Sequence, residues 1–121
     1  VYTTPVFLNR IEDKNGVVLD EFSPVTKEVL SEEKAYVILD LMQGVTKLGS
    51  GRRLGWKYGL KNQIAGKTGT TQNQSDGWFM GVTQKLVTGV WVGGDDRSIH
   101  FRNISLGQGA KMAMPAFTKF M

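Results

Sequence analysis

Three strand-like runs, crowded between Gln63 and Val92, constrain this chain more than any other feature. The first lies around Gln63–Thr70. The second, Trp78–Thr83, is rich in large residues with Gly81 inside it. The third, Leu86–Val92, reads LVTGVWV, and Gln84 and Lys85 make the turn between the last two. Gly93, Gly94, Asp95 and Asp96 end the third run with turn chemistry. Glycine supplies 15 of 121 residues, about 12% against a usual ~7%. Many glycines sit beside these runs, as expected of tight turns and close backbone approaches.

Two further elements are legible upstream. Residues 5–22 read as a hairpin, with PVFLNRIE and VVLDEF flanking Asp13, Lys14, Asn15 and Gly16; Asn-Gly is the strongest short hairpin signal. Residues 32–48 read as a helix. Ser31 suits the N-cap, and Glu32 and Glu33 suit the positive first turn. Ala35, Ile38, Leu41, Met42, Val45 and Leu48 recur at helical spacing, and Gly49 suits the stop. Residues 50–62 read as a glycine- and base-rich loop, and 97–106 as irregular. From about Gln108 to Met121 the chain again looks helical, with Ala110, Ala113, Phe117, Phe120 and Met121 able to form one stripe. Pro115 fits there only near a first turn or as a kink. The sum is α+β: an antiparallel sheet of three main strands plus an N-terminal hairpin, flanked by helices.

Composition narrows the chemistry. The chain carries 40% hydrophobic and 21% charged residues, unlike a disordered tail. Its length suits one domain or a piece of a larger one. No run of about 18 apolar residues exists to span a membrane, and VYTTPVFLNR is no signal peptide. The first residue is Val, so the chain is expected to be processed or cut from something longer. With no cysteine, disulfides, thiolate metal sites and cysteine nucleophiles are excluded. His100 is the one histidine, which excludes a histidine metal cluster. Acid–base chemistry must therefore rest on Lys, carboxylates, Tyr or hydroxyls. No metal or organic cofactor is expected.

Charge is divided unevenly. Residues 1–40 hold eight acids and four bases, and residues 41–121 hold three acids and eleven bases. Lys47, Arg52, Arg53, Lys57, Lys61 and Lys67 follow one another with no acid between them. Such a block attracts an anion, or is a solvated basic loop. A stand-alone binding module for an anionic cell-wall or nucleic-acid partner is therefore one reading of the chain.

The most informative string is Ile64-Ala65-Gly66-Lys67-Thr68-Gly69-Thr70-Thr71. A phosphate-binding loop needs a glycine five residues before the Gly of Gly-Lys-Thr. Lys61 stands there, and the following GTTQNQSDG is a poor helix former. The other mechanism is a Lys-Thr-Gly on a strand edging a serine acyl-transfer site. The flanks favour it: AGKTGTT, then DGWFMG, then LVTGVWVGGDD, and a closing Ala/Pro/Phe helix. Upstream, LNRIEDKNGVVLDEF and SEEKAYVILDLMQGVTKLGS agree. Over all 121 residues the chain closely resembles the C-terminal part of the transpeptidase domain of class A (bifunctional) penicillin-binding proteins.

That resemblance implies a partial penicillin-binding/β-lactamase-like fold, with 1–121 a single incomplete domain. It also implies site roles. Lys67 would place a fixed positive charge and help proton traffic. Thr68 and Thr70 hydroxyls would bind the carboxylate of an acyl-D-Ala-D-Ala stem peptide or of a β-lactam, with Thr71 beside them. Gly69 would let the backbone pass close to substrate. The Thr70 N–H would be one oxyanion-hole donor, and substrate would add to this edge strand by β-augmentation. Partners would be the peptidoglycan stem peptide, β-lactams and the rest of the transpeptidase domain. No nucleic acid and no membrane contact by this segment are implied. The location would be outside the cytoplasmic membrane, with a membrane-anchored parent.

The departures are equally specific. The family nucleophile sits in Ser-x-x-Lys at the start of a buried helix. The one such string, Ser31-Glu32-Glu33-Lys34, follows its serine with two glutamates that oppose an anionic intermediate, so Ser31 is rejected. No serine before Lys67 has Asn two residues on, and Ser50-Gly51-Arg52 does not fit. The chain thus offers no nucleophile and is expected to be inactive alone. His100 reads as a loop residue, Trp78, Phe79 and Trp91 as core or sheet-face residues, and Asp95 and Asp96 as a turn. The Arg52–Lys61 loop is expected to rim the cleft, with the Arg52 and Arg53 roles open. Leu86, Val90, Trp91, Val92, Phe117 and Phe120 are expected on a face left bare without the family's N-terminal part, which favours a homo-oligomer.

Overall fold

A computed structural model describes all 121 residues, which divide into two compact units, Val1–Ala35 and Tyr36–Met121. In the first unit β1 (Tyr2–Thr3) pairs antiparallel with β4 (Thr26–Lys27). Strand β2 (Arg10–Glu12) pairs antiparallel with β3 (Val18–Glu21). The expected hairpin exists, but its paired strands are short and begin only at Arg10. Pro5 has no N–H to give a ladder.

The hairpin turn is built differently from a two-residue Asn-Gly loop. Gly16 N–H donates to the Asp13 carbonyl across 3.1 Å, and Asp13 N–H donates to the Val17 carbonyl across 2.9 Å. Within this turn only Gly16 adopts a positive φ, +82°. The Asp13 carboxylate closes the loop by accepting from Asn15 N–H at 2.7 Å and Val17 N–H at 2.9 Å. Those bonds favour its ionised form, and they hold the Asp13 carboxyl below the usual Asp value.

Helix α1 (Glu32–Lys47) spans the predicted range. Its first turn is closed by Ala35 N–H donating to the Ser31 carbonyl, so Ser31 acts through its backbone. The expected apolar stripe is not buried: Leu41 and Leu48 are exposed, and Met42 and Val45 are half-buried. Gly49 ends the helix without a positive φ. It does so by close approach, since a Cβ there would lie 3.0 Å from the Val45 carbonyl oxygen.

In the second unit β5 (Ala65–Thr70), β6 (Asp76–Val82) and β7 (Val87–Gly93) form one antiparallel sheet in the order β5-β6-β7. Lys67 stands opposite Met80, Thr68 opposite Phe79, and Gly69 opposite Trp78. This is the predicted sheet. The 50–62 segment is not all loop, because it carries the short α2 (Arg53–Trp56), pinned by buried Leu54. Likewise 97–106 is not wholly irregular. Helix α3 (Ile104–Gly107) starts there, and the Asn103 side chain caps it by accepting from Leu106 N–H.

The C-terminal helix arrives in two pieces, α4 (Gly109–Met112) and α5 (Met114–Phe120). Pro115 lies in the first turn of α5, where a missing N–H is harmless. Both pieces cover the sheet face that carries Phe79. Ala110, Ala113, Met114 and Phe117 bury themselves there with Leu54, Ile64 and Phe79. Phe79 and Phe117 meet edge to face at 4.8 Å between ring centroids. Each such ring contributes about 1.5–3 kcal/mol when fully buried. Helices come this close because β6 has glycines on either side of Phe79. A Cβ at Gly81 would overlap the Phe117 ring, and one at Gly77 would overlap Met112.

Two expectations about the bare face need correction. Phe117 is fully buried, not exposed, and Val90 and Val92 pack against the core. Phe120 leaves the helical stripe and is exposed. The opposite sheet face is the open one, with Trp78, Met80, Val87 and Trp91 exposed. Strand alternation puts these residues on one side and Phe79 on the other.

Candidate functional site

Strand β5 is an edge, and its alternation decides which groups face out. Thr71 N–H donates to the Asp76 carbonyl across 3.1 Å, so Thr71 bonds inward, toward β6. Along an antiparallel strand the inward groups recur at every second residue. Ala65, Lys67 and Gly69 therefore bond to β6, while Gly66, Thr68 and Thr70 aim their N–H and C=O at the open edge. Two side chains corroborate this. The Thr46 hydroxyl donates to the Ile64 carbonyl at 2.5 Å, and the Lys67 ammonium donates to the Thr68 carbonyl at 2.7 Å. The Thr68 and Thr70 N–H groups have no backbone partner outside the sheet.

Beside that edge runs a groove of about 520 Å³, lined by Leu48–Ser50, Arg52, Arg53, Thr68, Thr70, Ile104, Gln108 and Ala110. A larger hollow of about 880 Å³ lies against α1 and the β6–β7 turn, but it holds none of the Lys67–Thr71 side chains. The smaller groove is therefore the candidate site. Ser50 and Thr68 join their hydroxyls at 2.8 Å across it. Whichever donates, one hydroxyl hydrogen of the pair stays available. The Thr70 hydroxyl accepts from Gly109 N–H at 3.1 Å and keeps its own hydrogen.

The predicted site residues are thus brought together unequally. Thr68 and Thr70 share the groove. Lys67 starts on the opposite sheet face, yet its exposed side chain folds back to the edge. Gly69 faces that same opposite side, where a Cβ would press on Trp78 at 3.1 Å. Thr71 stands apart. Its hydroxyl is engaged with Ser75 at 2.9 Å and with the Asp76 carboxylate at 3.1 Å. The same Asp76 accepts from the Trp91 indole N–H at 3.1 Å, which ties the β5–β6 turn to β7. Inside that turn Asn73 and Gln74 both take positive φ, 57° and 56°.

Arg52 and Arg53 rim the groove as expected, and no acid lines it. Asp96 accepts from Ser98 N–H at 2.7 Å, which holds its carboxyl below the usual value and marks a turn. His100 is exposed, its ring Nδ1 3.0 Å from the Phe101 carbonyl oxygen. Sequence reasoning missed Ser50 as a partner of Thr68, having weighed it only as the start of Ser50-Gly51-Arg52. It also missed Gly109. Its only signal was glycine at 107 and 109, a pair that admits a close helix start.

A family model described as the penicillin binding protein transpeptidase domain matches residues 1–101. Penicillin-binding protein 1A of Aquifex aeolicus is 38% identical over 117 residues, which is 97% of this chain and 15% of that protein. Penicillin-binding protein 1B of Escherichia coli is 40% identical over 89 residues, 74% of this chain and 10% of that protein. The crystal structure of penicillin-binding protein 1A from Haemophilus influenzae superposes with a TM-score of 0.82 at 26% identity. The match covers 98% of this chain and 23% of that one. The chain therefore spans only a small part of the length of the relatives it matches.

Proposed function

Because this chain belongs to the penicillin-binding protein transpeptidase family, we propose that β5 is the substrate strand of a serine D,D-transpeptidase that cross-links peptidoglycan stem peptides. The observation that carries this reading is the open edge at Thr68 and Thr70, set against a groove. An extended peptide adds to such an edge through main-chain hydrogen bonds. The free Thr68/Ser50 and Thr70 hydroxyl hydrogens then serve the terminal carboxylate of an acyl-D-Ala-D-Ala peptide, or that of a β-lactam.

The chemistry follows in balanced steps. A serine oxygen supplied from outside these 121 residues attacks the penultimate D-Ala carbonyl. The oxyanion that forms accepts from the Thr70 N–H, the C–N bond breaks, and D-Ala leaves with a proton. An amine of a neighbouring strand next attacks the ester and frees the serine. With a β-lactam the ring amide opens and the acyl-enzyme persists. Lys67 holds positive charge beside the edge and supports the proton transfers. Gly69 keeps its face clear, and Thr71 shapes the turn that ends the strand. No helix is long and apolar enough to cross a membrane. The segment is read as the C-terminal portion of one transpeptidase domain. It works outside the cytoplasmic membrane, in a membrane-anchored parent. Family membership leaves the stand-alone anion-binding reading without support.

The test is acylation by a fluorescent penicillin in the longer protein. Thr68→Val removes a hydroxyl bond to a charged group, so acylation falls about ten- to a hundred-fold. Thr83→Val, in the distant β6–β7 turn, leaves it unchanged. An unaltered rate in Thr68→Val would sink the assignment.

A further inference from the structure

The groove holds more positive charge than one terminal carboxylate needs. Arg52 and Arg53 both line it, and no Asp or Glu does. The chain's single ion pair, Arg10 with Glu12, lies elsewhere, so neither guanidinium has a carboxylate within 4.0 Å. Each guanidinium also carries more N–H donors than one carboxylate has lone-pair sites. Two of them, added to the hydroxyls of Thr68 and Thr70, exceed what a single carboxylate can accept.

The backbone under these arginines is fixed. Gly51 is buried and donates its N–H to the Val45 carbonyl across 3.0 Å, while Leu54 is 2% exposed in the core. Arg52 and Arg53 are thus held between two anchors. Arg52 N–H donates to the Gly49 carbonyl, and the Arg53 carbonyl accepts from Lys57 N–H. Ser50, two residues before Arg52, already touches Thr68. The arginines therefore stand on the segment that borders the substrate edge.

We propose that Arg52 and Arg53 form a second carboxylate subsite, which takes a side-chain carboxylate on the peptide whose C-terminal end Thr68 and Thr70 hold. This inference rests on reading the groove as a peptide cleft. A volume of about 520 Å³ lies within the span of small-molecule sites, so it has room for more than one terminal residue. The guanidinium fork suits a carboxylate bidentately, which a lysine in either place would not. The favoured ligand is thus an acidic peptide, with the charge placed on a residue before the D-Ala-D-Ala end.

The test uses the isotope-labelled chain and two peptides, followed by amide and arginine side-chain shifts. The peptides are acetyl-Glu-D-Ala-D-Ala and acetyl-Gln-D-Ala-D-Ala, which differ by one charge. The Glu peptide binds about five-fold more tightly at low salt, as befits exposed charge-assisted bonds. The Arg52→Gln/Arg53→Gln double variant loses that preference and keeps the affinity for the Gln peptide. Arg53→Lys, which keeps charge without the fork, retains part of it. Thr68→Val weakens both peptides alike. Equal binding of the two peptides by the unaltered chain overturns the subsite alone. So does a preference that survives the double variant, or inorganic phosphate shifting the arginines while the peptides are not distinguished. Failure of both peptides to bind overturns the cleft reading and the subsite with it.

Discussion

Gly109 donates its backbone N–H to the Thr70 hydroxyl across 3.1 Å, which fastens the start of α4 to the candidate substrate strand. The contact leaves no space for a side chain. A Cβ on Gly109 would overlap the carbonyl oxygens of Gly69 and Trp78. Gly109→Ala must therefore push α4 off the sheet. We expect a loss of about 1–3 kcal/mol, in line with overpacking elsewhere, read as a lower urea midpoint at unchanged slope. The Thr70 amide resonance should shift as well. A variant with wild-type midpoint and spectrum would show that the latch is slack.

The Phe79–Phe117 pair gives the second prediction. Both rings are fully buried, and they meet at 4.8 Å. Phe117→Ala opens a cavity under Gly81 and costs about 3–5 kcal/mol. Phe120→Ala, only three residues on, removes an exposed ring and stays within about 0.5 kcal/mol. Thermal melts of both variants separate the cases. Equal melting temperatures would contradict the burial assigned to Phe117.

Acid should loosen the hairpin turn. The carboxyl of Asp13 is held below its usual value by the N–H groups of Val17 and Asn15. A depressed folded-state value stabilises the turn above the unfolded value, and that contribution fades as pH falls through the folded one. The window therefore opens below about pH 3.9. Amide shifts of Asn15 and Val17 should titrate there, and Asp13→Asn should remove the transition. A titration centred above the usual Asp value would reverse the sign.

This chain alone should not trap a β-lactam. On the proposed reading it supplies Lys67 and the Thr70 N–H as an oxyanion donor, but no activated oxygen beside them. Ser31 precedes Glu32 and Glu33 and contributes its carbonyl, not its hydroxyl, to α1. Incubation with a fluorescent penicillin followed by a denaturing gel should show no band. A band abolished by Ser31→Ala would restore Ser31 as a nucleophile.

The sheet was legible because each of its three runs combines large strand formers with glycine punctuation. Gln84 and Lys85 leave the last two nowhere to go but back. Helix α1 was legible in extent, since periodicity sets length. Its burial was not, because exposed Leu41 and half-buried Val45 share one apolar pattern that says nothing about what packs on it. The short α2 and α3 escaped notice for a similar reason. Four-residue helices depend on anchors such as Leu54 and the Asn103 cap, not on any repeat. Within the site, Lys67, Thr68 and Thr70 announced themselves as a string. The Ser50–Thr68 and Gly109–Thr70 bonds join residues 18 and 39 positions apart, and no local pattern encodes such a pairing.

The two-residue rhythm of β5 also sets a clock for solvent deuterium. Lys67 and Gly69 spend their amide hydrogens on β6, so they should exchange only when the sheet opens. Thr68 and Thr70 lie between and beyond them on the same six residues, yet their amides face the open side and should be labelled far sooner. A peptide that docks along this edge would slow the fast pair and leave the slow pair as it was. Alternate residues of one short strand thus report separately on two events, the sheet opening and the groove filling.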